Sequence, residues 1–509
     1  MGPSRPRLAG PRGAALNSLA LGRSVWLRGC HPEVAADVRG RIIAVGAEAG
    51  PAAGSGAEVI ELSGAALPGL ADAHIHLEGL AEQQTWLNLG SAPSLATALT
   101  EVASRSALLP AGAWVLGCAW DPNRWPLKPA WSRWDLDRVA GGRPVAIFGR
   151  DGHSAWLSSS GLARSGLADL GEDPQGAVLE RDERGEPTGI IREAALAAVQ
   201  AAIPVAGQAD LDRSTLAALE RLAGLGLTSL HVMDSSRGFL TLQRLQEQGR
   251  LRLRVSWFAP AALAPELLRL GVRSGWGSQM LRLWGVKAFL DGTLSGGTAQ
   301  MLTGGGLAGL DQSELIALSR DLARAELNLA VHAIGDGAVR RALDAWQPLA
   351  GAWARWRPRI EHAQLVHPDD RGRLAALGAI ASMQPLHAVD DLELARRRWS
   401  GRGADAYAWA ALEGAGAHLA FGSDAPVASP DPLLGVAAAT KWRQQVGWHP
   451  ELALTRSSAL RAYSAGAAYA VGMEDDLGEL SPGRLCDVTV VERGAVTATL
   501  VGGRLIRGL

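Results

Sequence analysis

Two histidines separated by a single residue end a short apolar segment, LPGLADAHIH. His74 and His76 are alternate residues, and alternate residues of a β-strand project from the same face. At the carboxyl end of a strand in a parallel barrel, that face borders the mouth where ligands bind. Two imidazoles there would converge on one point, as metal ligands do. A His-x-His pair also arises by chance, so the pair alone leaves a metal site and two unrelated histidines as alternatives.

Three further candidates follow β-like apolar runs in the same way. They are His332 in LAVHAIGDG, His362 in RIEHAQL and Asp424 in LAFGSDAPV. A single histidine at a strand end is more often a hydrogen-bonded core or helix-cap residue than a ligand. Four histidines and a carboxylate that all end strands predict a metal site, because imidazole and carboxylate are common ligands of divalent cations.

Lys287 lies within another apolar run, LWGVKAFLDG, in a chain where only three of the 50 basic residues are lysines. Burial lowers the pKa of a lysine from about 10.4, whereas an arginine stays protonated. A neutral amine can react with CO2 to give a carbamate, whose two oxygens can bridge two cations. The alternative interpretation is a lysine that reaches solvent or pairs with Asp291.

The elements that carry these residues form a regular pattern. Short buried strands alternate with Ala- and Leu-rich helical stretches, which predicts βα units and a parallel sheet. In this pattern the candidates end strands 1, 4, 5, 6 and 8, while His153 follows strand 2 and His231 ends strand 3. Two segments, about 110–140 with five tryptophans and about 155–200, are interpreted as insertions. Both chain ends show short period-two runs with turn signals, which are typical of β-hairpins.

Composition narrows the class of protein. The chain has 509 residues, 47% of them hydrophobic, so it can bury a large core. Its 50 basic and 51 acidic residues leave no cationic surplus, which argues against nucleic acid or an anionic membrane as a partner. No uninterrupted apolar run reaches the roughly 18 residues that a membrane span needs. Cys30, Cys118 and Cys486 lie far apart without metal-binding spacing, so a reducing cytoplasm is expected.

The set His-x-His, Lys, His, His and Asp, in that chain order, resembles the amidohydrolase superfamily. Several further segments are similar to amidohydrolase family 3, the branch that contains N-substituted formamide deformylases. These segments are WVLGCAWDPNRW, RDGHSAWLSSSGL, RDERGEPTGIIRE, KAFLDGTL, SMQPLHAVDD, FGSDAPV and LSPGRLCDVTVV. The resemblance covers nearly the whole chain after the first 16 or so residues.

The resemblance implies an α/β fold, a (β/α)8 TIM barrel with a small β-sandwich built from both chain termini. The barrel would occupy residues 67–474, and the β-sandwich would combine residues 17–66 with residues 475–509. Residues 1–16, rich in Pro, Gly and Arg, are expected to be a disordered lead-in.

The resemblance also implies two divalent metal ions, with zinc as the default for nitrogen and oxygen ligands. His74, His76 and Asp424 would hold one ion, His332 and His362 the second, and a carboxylated Lys287 would bridge them. The ions would share a bridging hydroxide, because two cations lower the pKa of bound water towards about 7. Asp424 would then act as the general base and pass the proton to the departing nitrogen.

Further residues are expected around this centre. His153 and His231 would bind the substrate carbonyl or orient a ligand, with a packed, hydrogen-bonded side chain as the alternative for each. Asp291 and His387 would line or brace the site. The tryptophans Trp120, Trp125 and Trp156 would wall a hydrophobic pocket, with ordinary core packing as the alternative. The assignments of Asp291 and His387 come from the motif segments and not from spacing.

These inferences predict a metal-dependent hydrolase that acts on a non-peptide C–N bond of a small amide or formamide-type substrate. One alternative keeps the metals but acts on a carboxyl ester, a lactone or a phosphoester, since this chemistry does not select the leaving group. A less favoured alternative is a non-catalytic barrel homologue, although the chain lacks none of the expected ligands. A homodimer is compatible with the resemblance.

Overall fold

The described part of the chain begins with a group of short strands that lie outside the barrel. The computed structural model describes residues 21–121, 125, 131–149, 154–174, 177–307, 309–351 and 355–508, so the expected lead-in at 1–16 and His153 lie outside the described residues. The first elements are β1 (Val25–His31), β2 (Val34–Ala36), β3 (Ile42–Val45), helix α1 (Ala49–Ala53) and β4 (Glu58–Pro68).

The first barrel strand and helix are followed by a separate six-stranded sheet with its own helices. The elements in chain order are β5 (Leu70–Ile75), α2 (Leu77–Gln83), β6 (Leu87–Asn88), α3 (Leu95–Leu108), β7 (Val115–Trp120), α4 (Arg133–Ala140), β8 (Val145–Gly149), β9 (Ser154–Leu157), α5 (Ser159–Arg164), β10 (Ala177–Arg181), β11 (Pro187–Glu193) and α6 (Ala195–Ala202). Strands β6 to β11 form one sheet in the order β10-β11-β9-β8-β7-β6. A single inserted unit therefore joins the two predicted insertions and the segment between them.

One strand was assigned to the wrong sheet, because its sequence pattern is the same as that of a barrel strand. The strand before His153 was counted as the second barrel strand, but it is β8 of the inserted sheet. Strand β8 pairs in parallel with β7 and is almost entirely buried, so its sequence pattern matches that of a barrel strand. The second barrel strand is instead the one that carries His231, which was assigned to the third.

The rest of the barrel follows in regular alternation. Its strands are β12 (Leu227–Val232), β13 (Arg254–Pro260), β15 (Leu281–Phe289), β16 (Asn328–Ala333), β17 (Arg359–His362), β18 (Ile380–Met383) and β19 (His418–Phe421), with β14 (Trp276–Gly277) as a short antiparallel addition to β15. The helices are α7 (Gln208–Gly224), α8 (Ser236–Glu247), α9 (Ala264–Leu270), α10 (Gln312–Arg324), α11 (Asp336–Trp346), α12 (Pro368–Ala376), α13 (Pro385–Asp390), α14 (Leu392–Arg398), α15 (Trp409–Gly414), α16 (Pro432–Ala437), α17 (Arg443–Val446), α18 (Arg456–Ala462) and α19 (Ala465–Ala470).

Eight parallel strands close into the barrel. The sheet runs β19-β18-β17-β16-β15-β13-β12-β5, and a parallel bridge between Ile75 and Ala425 joins its two ends. The strands are buried on both faces, because the outer face packs against the helices and the inner face against the other strands. The predicted fold class, a (β/α)8 barrel with additional β structure from the chain ends, is confirmed.

Local sequence accounts for the helices that flank the strands. Helix α10, for example, begins with a capping box in which the Asp311 side chain accepts from the Glu314 N–H while the Glu314 carboxylate accepts from the Asp311 N–H, both at 2.8 Å. Its buried residues Leu315, Leu322 and Ala323 recur at helical spacing and face the barrel.

The two chain ends share one sheet. Strands β20 (Val488–Glu492), β21 (Ala495–Val501) and β22 (Arg504–Gly508) join the first four strands in the order β22-β21-β20-β4-β1-β2-β3. A buried ion pair between Arg254 and Asp487, with Nε and Oδ2 2.7 Å apart, connects this sheet to the barrel. Within the described parts of the chain, no helix combines the length and the apolar character required to cross a bilayer.

Candidate metal centre

The predicted site residues gather at the carboxyl ends of the barrel strands. His74 lies near the end of β5 and His76 directly after it. His332 lies near the end of β16, His362 ends β17, and Asp424 lies just beyond β19. The ring centroids of His74 and His362 are 5.0 Å apart, and those of His332 and His362 are 4.4 Å apart. Residues that are up to 350 positions apart in the chain, such as His74 and Asp424, therefore share one small volume.

Two of these side chains reach the site through unusual backbone angles. In β17, Ile360 packs in the apolar layer between the barrel and its helices, and simple alternation would send His362 the same way. His362 instead has φ of 73°, in the left-handed region, and Asp424 has φ of 59°. Such angles are uncommon for residues other than glycine, and they concentrate at functional sites.

Each of the four histidines has one ring nitrogen tied to an oxygen. An imidazole N–H must be the donor in each pair, because every acceptor is a carboxylate, amide or carbonyl oxygen. The pairs are His74 Nδ1 with Glu361 Oε2 at 2.6 Å, His362 Nδ1 with Gln384 Oε1 at 2.8 Å, His76 Nδ1 with the Met233 carbonyl at 3.1 Å, and His332 Nε2 with the Gly292 carbonyl at 3.0 Å. In a neutral imidazole, such a pair leaves the second ring nitrogen with a lone pair, the form in which imidazole binds a metal.

The nitrogen and oxygen atoms that remain free to bind a metal lie close together. His74 Nε2 is buried and has no hydrogen-bond partner in the structure, and it lies 3.4 Å from Asp424 Oδ1. His76 Nε2 lies 3.3 Å from the same oxygen. One ligand atom from each of His74, His362 and Asp424 lies within 4.8 Å of the others, an arrangement that can hold a metal ion. His74 and Asp424 belong to the ligand set predicted for one ion, and His362 belongs to the set predicted for the other. Their proximity is expected if the two sets are adjacent.

The electrostatics suit metal ligands. Burial and the nearby charge of Lys287 lower the pKa of His74 to about 4 and that of His332 to about 3, so both imidazoles are neutral at pH 7. Burial alone would raise the pKa of Asp424, but the histidines around it hold that pKa well below the usual range. His74 and His332 thus supply neutral nitrogen atoms beside an ionised carboxylate, a set of ligands that divalent cations prefer. Burial alone would lower the pKa of His76, but the nearby charge of Asp424 raises it.

Lys287 lies in the same pocket with an unusual environment. Its Nζ is 3.5 Å from Met233 Sδ and 5.1 Å from the centroid of the Phe289 ring. Burial lowers the pKa of Lys287 to about 8, so a fraction of the amine is neutral near pH 7. Asp291 is not its partner, because that carboxylate accepts the backbone N–H groups of Gln300, Ile334 and Gly335 at 2.8–3.0 Å. The alternative of a Lys287–Asp291 ion pair therefore has no support in the geometry.

The other predicted neighbours fall into two groups. Asp291 braces the loop after β15, and His387 lies at the rim, where its Nε2 is 3.7 Å from Asp424 Oδ2 and its ring is 5.9 Å from that of His362. His231 is buried on β12, and its Nδ1 accepts a hydrogen bond from Arg359 at 3.0 Å. His231 is thus linked to the cluster through Arg359.

The three tryptophans that were predicted to wall a substrate pocket lie in the inserted unit. Trp120, Trp125 and Trp156 are buried in the hydrophobic core of the inserted sheet, together with residues of α3 and α4. The Trp120 ring lies 5.9 Å from the Trp156 ring and 6.1 Å from the Trp131 ring. These are the contacts of core residues, which was the alternative interpretation.

We expect Trp120→Ala to destabilise the protein by about 3–5 kcal/mol, because it leaves a large cavity in this core. Denaturant unfolding measures the loss, and Trp134→Ala is the matched control because Trp134 is 40% exposed on α4. The KM of the folded Trp120 variant should stay unchanged. A raised KM at normal stability would instead support a role for Trp120 in the substrate pocket.

Sequence reasoning missed the residues that hold the histidines in place. Arg359 and Glu361 are alternate residues of an apolar strand, in the same pattern as His74 and His76, and both are completely buried. Charged residues are almost never fully buried unless they are paired, so an Arg-x-Glu segment inside a predicted strand was a usable signal. Gln384, which follows β18, carried no comparable signal.

Comparison with known proteins places the chain among hydrolases. A sequence model described as the amidohydrolase family matches residues 58–500. The chain is 31% identical over 511 residues to Protein LONG AFTER FAR-RED 3 of Arabidopsis thaliana, covering 91% of this chain and 86% of that protein. It is 26% identical over 486 residues to an N-substituted formamide deformylase of Arthrobacter pascens, covering 90% and 89%. An uncharacterized metal-dependent hydrolase from Pyrococcus furiosus has a similar structure, with a TM-score of 0.74, 27% identity and coverage of 93% and 98%.

Proposed function

Because the chain belongs to the amidohydrolase family, we propose that it hydrolyses a non-peptide C–N bond in a small amide or formamide-type substrate. The observation that carries the proposal is the convergence of His74, His362 and Asp424 with lone-pair donors at one barrel mouth. The formamide deformylase of Arthrobacter pascens, which is similar over 90% of the chain, supports the choice of bond.

The proposed cofactor is a pair of divalent cations, with zinc as the default for nitrogen and oxygen donors at a site with open positions. His74, His76 and Asp424 would hold one ion, His332 and His362 the other, and a carboxylated Lys287 would bridge them. When bound, such cations polarise a substrate carbonyl and lower the pKa of water. The buried Nε2 of His74, which lacks a hydrogen-bond partner, supports this fit.

Asp424 is the proposed general base. Its carboxylate is held ionised by the surrounding histidines and lies 3.3 Å from His76 Nε2 and 3.7 Å from His387 Nε2. An ionised carboxylate at this point can take a proton from water and deliver it to the departing nitrogen. His387, whose Nε2 is buried without a hydrogen-bond partner in the structure, would donate to the substrate or to Asp424.

Phe289 is the proposed contact for an apolar substituent on the substrate. It ends β15, and its ring lies 5.3 Å from the His332 ring while 53% of the residue is exposed. A large aromatic surface beside the candidate ligands would favour an apolar group, since burying it there removes both surfaces from water.

The proposal is tested with protein purified without chelator on matched amides, esters, lactones and phosphoesters. We expect turnover of N-substituted amides or formamides, which chelation and dialysis abolish and Zn²⁺ with bicarbonate restores. Turnover that survives complete metal removal would contradict the proposal. Ester or phosphoester turnover with inert amides would favour the alternative hydrolase, and no turnover in any panel would favour a non-catalytic barrel.

A further inference from the structure

The buried pair Arg359–Glu361 lies directly behind one candidate ligand. We propose that this pair positions His74 for metal binding, so that the affinity of the centre depends on two residues that contact neither metal nor substrate. The inference rests on the proposed function in one respect only, which is that a metal binds at His74.

Both oxygens of Glu361 are committed to protein partners. Oε2 accepts from His74 Nδ1 at 2.6 Å and from the Arg359 guanidinium at 3.1 Å, and Oε1 accepts from Arg359 Nε at 2.8 Å. The side chains of His74, Arg359 and Glu361 are all 0% exposed. The carboxylate therefore has no access to solvent, and the imidazole on it has a single orientation.

Arg359 is in turn held by the barrel itself. Its guanidinium donates to His231 Nδ1 at 3.0 Å on β12, to the Ala73 carbonyl at 2.6 Å on β5, and to Ser382 Oγ at 2.9 Å on β18. It also lies 4.7 Å from the centroid of the Phe258 ring on β13. Four other barrel strands thus determine where the guanidinium sits, so Glu361 is fixed by the fold before any ligand binds.

The hydrogen bond to Glu361 determines which nitrogen of His74 can bind a metal. Because Nδ1–H is donated to Glu361, the lone pair is on Nε2, which faces Asp424 Oδ1 at 3.4 Å. At the described site, Nδ1 of His74 is held by the carboxylate of Glu361, whereas Nδ1 of His76, Nε2 of His332 and Nδ1 of His362 are held by carbonyl or amide oxygens. A carboxylate acceptor strengthens imidazole as a metal ligand, and loss of such a partner typically weakens metal binding about 10- to 100-fold.

The direct test is Glu361→Gln, which keeps the size of the side chain and one oxygen acceptor but removes the charge. We expect the affinity for Zn²⁺ alone, measured by competition with a chromophoric chelator, to fall about 10- to 100-fold. The visible absorption spectrum of the Co²⁺-loaded variant should also change, because the orientation of His74 is no longer fixed. Both readouts are independent of turnover.

The chain offers a matched control in a second buried ion pair. Arg254 and Asp487 form two hydrogen bonds of 2.7 and 2.8 Å, and both side chains are 3% exposed. The pair joins β13 to the terminal sheet, and neither residue contacts the candidate ligands. Asp487→Asn should lower the thermal unfolding temperature, as loss of any buried charge partner does, while the Zn²⁺ affinity stays unchanged.

Glu361→Gln leaves Arg359 buried without its counter-charge, which can prevent folding, so a second variant is needed that tests the inference independently. The double variant Arg359→Met with Glu361→Gln removes both charges and should show the same loss of Zn²⁺ affinity. In the unmodified protein, the hydrogen bond should also give a low-field imidazole N–H proton resonance that His74→Gln abolishes. Absence of that resonance would contradict the hydrogen bond on which the inference rests.

The outcomes separate this inference from the proposed function. Zn²⁺ affinity and Co²⁺ spectrum equal to those of the unmodified protein, in either Glu361 variant, would overturn the inference alone. An equal loss of affinity in Asp487→Asn would overturn it too, because the effect would then be one of general stability. Failure of the unmodified protein to bind any divalent metal would overturn both proposals.

Discussion

Replacing Lys287 with alanine should remove most of the bound metal and lower kcat/KM by at least about 1,000-fold. The amine is buried, its pKa is lowered to about 8, and it lies among the candidate ligands, so it is suited to carbamate formation. A metal ion that polarises a substrate carbonyl contributes several kcal/mol of transition-state stabilisation, and about 4 kcal/mol corresponds to three decades of rate. Metal content per chain and steady-state kinetics measure the effect.

A rescue experiment makes the Lys287 prediction specific. Acetate or propionate should partly restore both metal and activity in Lys287→Ala, because a small carboxylate can occupy the position of the carbamate. Lys441→Ala is the matched control, since Lys441 is exposed and is not a candidate ligand, so its loss should change neither quantity. Metal content equal to that of the unmodified protein in Lys287→Ala would rule out the bridging role.

Asp424→Asn should lower kcat about 100- to 10,000-fold even in molecules that retain metal. General-base catalysis by a positioned side chain contributes a factor of this size, and an amide cannot accept the proton. The neighbours should remain in place, because the substitution preserves the shape of a side chain that lies 3.3–3.4 Å from two imidazoles. Comparing kcat per bound metal separates the loss of the base from the loss of a ligand.

The control for Asp424 is a buried carboxylate that pairs with arginines and contacts none of the candidate ligands. Asp370 on α12 is fully buried against Arg340 and Arg373, so Asp370→Asn should reduce stability without changing kcat per bound metal. An Asp424→Asn variant with undiminished kcat at normal metal content would show that another group is the base.

The local pattern of the sequence determined the barrel and the residues gathered at its mouth. Buried strands that end in a polar residue can be recognised one at a time, and parallel strands all end at the same face of a barrel. His74, His332, His362 and Asp424 could therefore be predicted to lie together without knowing their distances. The hydrophobic period of a strand depends on residues that are neighbours in the chain, so the strands and the polar residues at their ends could be predicted from the sequence.

The tertiary structure decided which sheet each strand joins and which atoms meet. Strand β8 has the pattern of a barrel strand but pairs in the inserted sheet, and Trp120 packs there because the insertion has a core of its own. The left-handed angle of His362 and the contact of Glu361 with His74, 287 positions away, depend on strands that are distant in the chain. The pairing of strands and the orientation of side chains depend on interactions between segments that are distant in the chain. The local periodicity of the sequence therefore cannot predict them.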